Sequence, residues 1–133
     1  RLQPYGLMWL ELDLDDPKAL LEVKQRIDVP VCSGETLFYP EGYLPYFQDR
    51  ALDVVMIDTI WNGFSRANLI GQLAQTFRIN TCVHNYYSHL STLHSAHLCA
   101  TAMALAHACL TRTASVFGTI CRLTSSIVRN ELS

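Results

Sequence analysis

Four short apolar runs punctuate this chain, and each ends in a group able to bind a cation or move a proton. They are Leu7-Met8-Trp9-Leu10-Glu11, Val29-Pro30-Val31-Cys32-Ser33-Gly34-Glu35, Val54-Val55-Met56-Ile57-Asp58 and Ile79-Asn80-Thr81-Cys82-Val83-His84. Apolar runs this short read as strands covered on both faces. They recur at roughly 25 residues, close to the ~30 per unit expected when ~250 residues make eight βα units. Strands alternating with helices at that spacing predict parallel βαβ units. The expected fold is therefore α/β, a partial TIM-type barrel of about half the usual size. Carboxylates at the C-terminal ends of such strands are where barrels place chemistry.

The segments between the runs carry helix signals. Lys18 to Arg26 forms one helix, with Asp15 or Asp16 as its cap, Pro17 at its first position, and Leu20, Leu21 and Val23 on its apolar side. Leu37 to Tyr46 is rich in aromatics, Pro and Gly, which predicts a shaped loop leading into a short helix. Its aromatics either pack or cover a pocket. Trp61-Asn62-Gly63 reads as a turn, followed by a helix over Ser65 to Thr76 with Leu69, Ile70, Leu73 and Phe77 inward. Ser88 or Ser91 caps a further helix, Leu90 to Leu110. Half a barrel has open edges and exposed inner faces. The remaining half is expected upstream of Arg1, where the sequence starts without Met.

Composition narrows the classes. Half of the 133 residues are hydrophobic and the net charge is −2, so a disordered chain is not expected. No basic patch suggests nucleic acid. No uncharged apolar run reaches the ~18 residues of a membrane span, and no signal peptide is evident. The five cysteines (Cys32, Cys82, Cys99, Cys109, Cys121) are odd in number and lack CxxC spacing. They read as buried thiols of a reducing compartment, hence a cytoplasmic location.

Glu11 and Glu35 end neighbouring strands, so in a barrel both point into one mouth. Two carboxylates that close repel unless a cation or proton lies between them, and Mg²⁺ suits such oxygen donors. The alternative is that both are solvated loop acids. Asp58 and His84 end the next two strands. A carboxylate hydrogen-bonded to an imidazole fixes its tautomer and makes it a proton carrier near neutral pH. His94 and His97 share a helix face that also suits zinc, but no Cys or acid stands at matching spacing.

Taken in order, Trp9-Leu10-Glu11, Pro30-Val31-Cys32-Ser33-Gly34-Glu35, Asp53-Val54-Val55-Met56-Ile57-Asp58 with Gly63 beyond, and His84 resemble the enolase superfamily. The most similar branch is the mandelate racemase / muconate lactonizing enzyme-like acid-sugar dehydratase group. His84-Asn85-Tyr86-Tyr87-Ser88-His89-Leu90 and Ser95-Ala96-His97 strengthen the resemblance, which covers residues 1 to about 100. It implies the second half of a (β/α)₇β barrel, with a lid domain elsewhere and Mg²⁺ held by three carboxylates, two of them matching Glu11 and Glu35. It implies an acid-sugar dehydratase or racemase that removes the proton α to a carboxylate, giving a metal-stabilised enediolate. It also implies a small acid sugar or hydroxy acid as partner, and a homo-oligomer for the full-length parent. Asp58 and His84 match the family's Asp–His dyad, and His89 is a second candidate for its histidine.

The departures are specific. The family's first metal ligand, its Lys-type base and its lid would precede Arg1. Leu12 and Asp13 stand where many relatives have Glu-Pro. No acid occurs between Asp58 and Glu131, so the family's last-strand Glu is missing. Residues 101–133 form a divergent helical and Ser/Thr-rich tail, a pattern that an altered reading frame or splice product would produce. Three functional classes follow: a Mg²⁺ enzyme present as a barrel fragment, an inactive remnant of that fold, or a module that completes a barrel with a partner chain.

Overall fold

The computed structural model describes residues 6–102. Four strands and four helices alternate: β1 (Leu10–Glu11), α1 (Pro17–Lys24), β2 (Val31–Ser33), α2 (Tyr39–Gln48), β3 (Val54–Asp58), α3 (Thr59–Thr76), β4 (Asn80–His84) and α4 (His89–Ala102). The strands form one sheet in the order β1-β2-β3-β4, and every neighbouring pair is parallel. This is the expected partial α/β barrel. Of the expected Leu90–Leu110 helix the part up to Ala102 is found in α4; the rest of that expectation, and that of the 101–133 tail from residue 103 on, lies outside the described residues.

Local chemistry explains the helix ends. Asp16 caps α1 by accepting from the Lys18 N–H at 2.9 Å, with Pro17 next in line. The last turns of α2 and α3 are closed by arginines with φ of 57° and 58°, Arg50 and Arg78. The Ala51 N–H reaches back to the Tyr46 carbonyl at 3.0 Å, and the Ile79 N–H to Ala74 at 2.9 Å. Both are Schellman closures in which Gly is the usual occupant. At the N-terminal ends of the strands, Asp53 accepts from the Val31 N–H at 2.9 Å and pairs with Lys24 at 2.8 Å.

Side-chain alternation divides the interior. Leu20, Val31, Phe47, Val55, Ile57, Ile70 and Ala74 lie between sheet and helices. The opposite face of the sheet buries Cys32, Val54, Met56 and Cys82, with Trp9 packed against them. The expectation of exposed inner faces is thus corrected: these four residues are 0–7% exposed. Burial on both faces is why β3 reads as an unbroken apolar run.

Three local expectations also change. Trp61 and Asn62 belong to the first turn of α3, and Gly63 kinks that helix with φ 69° instead of ending a free turn. Leu69 is 52% exposed, on the outer side of α3. Within the Leu37–Tyr46 stretch only Leu37 and Phe38 lie outside a helix: the ten-residue α2 begins at Tyr39, tolerates Pro45 and buries Tyr43, Tyr46 and Phe47.

Candidate active site

The inner-face alternation that buries Met56 and Cys82 carries on to the strand ends. Two residues after Met56 comes Asp58, and two after Cys82 comes His84, so both point to the same side. Their Cα atoms are register partners across β3 and β4. His84 Nδ1 lies 2.7 Å from Asp58 Oδ2. The other Asp58 oxygen accepts from the Ile60 and Trp61 N–H groups at 2.6 and 3.0 Å, so the same carboxylate caps α3. Asp58 is fully buried and held by three donors, which leaves its orientation no freedom.

His84 Nε2 faces a second carboxylate, Glu35 Oε2, at 3.2 Å. Glu35 follows Gly34, whose φ is 116°. A Cβ at residue 34 would sit 3.1 Å from the Met56 carbonyl oxygen and from the Tyr43 ring. Glycine is therefore required both by backbone conformation and by space. The Tyr43 hydroxyl lies 3.0 Å from the Gly34 and Leu37 carbonyls, sharing its hydrogen between them. Burial pushes that hydroxyl's pKa upward, so it remains a donor.

Glu11 ends β1 on the Trp9 side of the sheet, and Asp13 follows two residues later. Asp13 Oδ1 accepts from the Gly34 N–H at 3.3 Å and from the Ser33 hydroxyl at 3.4 Å. Glu11, Asp13 and Glu35 each offer an oxygen, all within 4.8 Å of one another. Partial burial raises the Glu11 pKa above its ordinary 4.5, the neighbouring Glu35 and Asp13 charges add to the rise, and His84 opposes it. A hard divalent cation with oxygen ligands fits this donor set and would relieve the repulsion.

The structure thus brings Glu11, Glu35, Asp58 and His84 to one mouth. His89, the second histidine candidate, opens α4 with an exposed side chain. Among the described residues no hydrogen bond joins it to this group. His97 is exposed as well, and its Nδ1–H donates to the Leu93 carbonyl at 2.7 Å. Ser88 caps α4, its hydroxyl accepting from the Ser91 N–H at 3.2 Å. Buried Ser95 donates to the His84 carbonyl at 3.4 Å, tying the helix to the end of β4. Asp13 was not anticipated as a metal-facing residue. Period-two alternation from Trp9 and Glu11 points to its side of the sheet, but Asp13 lies past the end of β1, where that period no longer fixes a position.

A parallel βα sheet with acidic and imidazole groups gathered at its C-terminal edge is the arrangement in which α/β barrels place their active sites. The chain belongs to the enolase C-terminal domain-like family, whose model matches residues 1–131. Its structural relatives lie in the mandelate racemase and muconate lactonizing enzyme group of the enolase superfamily. A Burkholderia xenovorans strain LB400 protein described as an L-alanine-DL-glutamate epimerase is 38% identical in its form bound to magnesium and fumarate. That match has a TM-score of 0.72 and covers 76% of this chain and 25% of the other. A mandelate racemase/muconate lactonizing enzyme-like protein from Rubrobacter xylanophilus DSM 9941 is 34% identical over 74% of this chain and 26% of its own, with a TM-score of 0.69. The chain therefore spans about a quarter of the length of these structures. No curated protein matches the sequence. Among the described residues no helix is long and apolar enough to cross a membrane.

Proposed function

We propose that this chain carries part of a Mg²⁺-dependent site that removes the proton α to a substrate carboxylate, in a racemase, epimerase or acid-sugar dehydratase reaction. The observation that carries the reading is the continuous contact from Asp58 through His84 to Glu35, beside the Glu11–Asp13–Glu35 oxygens. The magnesium and fumarate bound by the Burkholderia relative support a cation and a small carboxylic acid here.

Glu11, Asp13 and Glu35 would hold the cation. When bound, it supplies positive charge where negative charge develops on the substrate carboxylate. The chain's own residues do the rest. Asp58 accepts the hydrogen of His84 Nδ1 and so fixes the tautomer, leaving Nε2 as the nitrogen that exchanges a proton with substrate. Asp58 also offsets the charge the ring gains when Nε2 takes up that proton. In racemisation His84 works on one face of the α-carbon; in dehydration it returns the proton to the departing hydroxyl. His84 is 20% exposed along its side chain, open enough to meet a substrate at the mouth. His89 is kept as the second candidate for this role.

The test is calorimetric titration of the 133-residue chain with Mg²⁺, using Glu35→Gln as the control. Outer partners of metal ligands alone are worth about 10–100-fold in affinity, so loss of a direct ligand should weaken binding at least about tenfold. Binding that Glu35→Gln leaves intact would sink the assignment.

A further inference from the structure

We infer that Phe38, Trp61 and Tyr87 form the substrate-selecting wall of this site, and that the wall takes an apolar, ring-bearing substituent on the carbon next to the substrate carboxylate. The inference rests on the function proposed above and names its substrate class.

The three aromatics recur by position. Phe38 lies three residues after Glu35, Trp61 three after Asp58, and Tyr87 three after His84. Each therefore follows the C-terminal end of a different consecutive strand. Their rings connect. Phe38 and Trp61 meet edge to face at 4.9 Å and 68°. The Trp61 indole N–H donates to the Tyr87 hydroxyl. The Tyr87 ring stands 6.1 Å from the His84 imidazole at 84°. The wall is thus continuous with the proton-transfer histidine.

The backbone beneath is tightly held. Asn62 accepts from the Tyr39 N–H at 2.8 Å and turns its amide toward the Leu37 carbonyl at 3.1 Å and the Tyr43 hydroxyl at 3.2 Å. That clamp joins the loop bearing Phe38 to the turn bearing Trp61 and holds Tyr39 at φ 58°. A strained, over-determined rim beside a site marks a surface built for contact.

Three large aromatic rings remain open on a rigid frame: Phe38 is 42% exposed, Trp61 47% and Tyr87 47%. Near-perpendicular rings make a corner that receives a ring or branched apolar group, with edge-to-face contacts available. The wall offers little to a polyol chain. The Trp61 indole N–H is taken up by the Tyr87 hydroxyl and the Asn62 amide is spent on the backbone clamp, which leaves the Tyr87 O–H as the hydrogen these groups can still donate. Further hydroxyls pressed against the wall would lose water without replacement.

The test compares two 2-hydroxy acids that share a carboxylate and an α-hydroxyl but differ beyond them, 3-phenyllactate and gluconate. Each is titrated into the 133-residue chain in saturating Mg²⁺. We expect 3-phenyllactate to bind at least about tenfold more tightly. Phe38→Ala and Trp61→Leu should each bring the two acids within about threefold, chiefly by weakening 3-phenyllactate. Phe38 is exposed enough that its truncation keeps the fold, so it carries the test if Trp61→Leu does not fold. Equal affinities in the parent chain, a preference for gluconate, or a preference that survives both variants would overturn the wall and leave the proposed function standing. Mg²⁺ binding with neither acid bound would also overturn the wall, and would point to another protein segment as what covers these rings. Absence of Mg²⁺ binding would overturn both readings.

Discussion

Asp58 Oδ2 lies 2.7 Å from His84 Nδ1, while the partner oxygen of the same carboxylate caps α3. One buried side chain therefore orients the imidazole and starts the helix behind it. The two tasks separate by substitution. Asn is as good a cap as Asp, so Asp58→Asn should leave thermal stability nearly unchanged. It would lower proton transfer in a full-length protein by about 10²-fold or more, because it removes the charge that supports the protonated ring. Asp58→Ala should lose the cap as well, about 1 kcal/mol of stability. Paired melting curves and turnover rates check both.

His84→Asn should abolish turnover in a full-length protein and leave Mg²⁺ affinity within a few-fold of the parent's, since the cation's oxygens come from Glu11, Asp13 and Glu35. His89→Asn should leave turnover intact. If the two variants behave the other way round, the proton carrier is His89.

Gly34→Ala meets the Met56 carbonyl oxygen and the Tyr43 ring at 3.1 Å, in a backbone conformation unsuited to a side chain. We expect a loss of about 2–3 kcal/mol from steric strain and left-handed backbone together. The change would also move Glu35 away from His84. Chemical denaturation reports the first effect, and Mg²⁺ titration of the surviving folded fraction the second.

The raised Glu11 pKa has a definite sign. An acid whose pKa rises on folding contributes stability below its unfolded value, and that contribution is lost as pH climbs through the folded value. Without divalent cation, Glu11→Gln should therefore raise the melting temperature at about pH 7 and change little at about pH 4. The same variant should weaken Mg²⁺ binding. Saturating Mg²⁺ should erase or reverse the stability gain at neutral pH.

Arg78 closes α3 at φ 58°, a conformation that Gly adopts without strain. Arg78→Gly should stabilise the chain by about 0.5–1 kcal/mol, the left-handed penalty being offset in part by the added freedom of Gly in the unfolded state. Far from the mouth, it should leave Mg²⁺ affinity unchanged.

Much of this protein was determined by the sequence alone. Apolar run length, helix caps and the βα repeat specify local geometry, and local geometry repeated four times leaves a parallel sheet as the consistent outcome. The acid or imidazole ending each run was legible for the same reason: strand direction sends all four groups to one edge. The four groups of that edge could not be joined further by pattern. Asp13 lies past the end of β1, and its place beside Glu11 and Glu35 depends on the Gly34 N–H and Ser33 hydroxyl that hold it. The Glu35–His84 contact spans β3, the strand that lies between β2 and β4, and depends on the bend at Gly34. The Phe38–Trp61–Tyr87 chain joins two loops and the first turn of α3, whose relative heights follow from strand register and the Asn62 clamp. These contacts link residues twenty or more positions apart, and no local preference encodes their distance. Packing of the sheet and helices decided them, because it sets where each strand end stops relative to its neighbours.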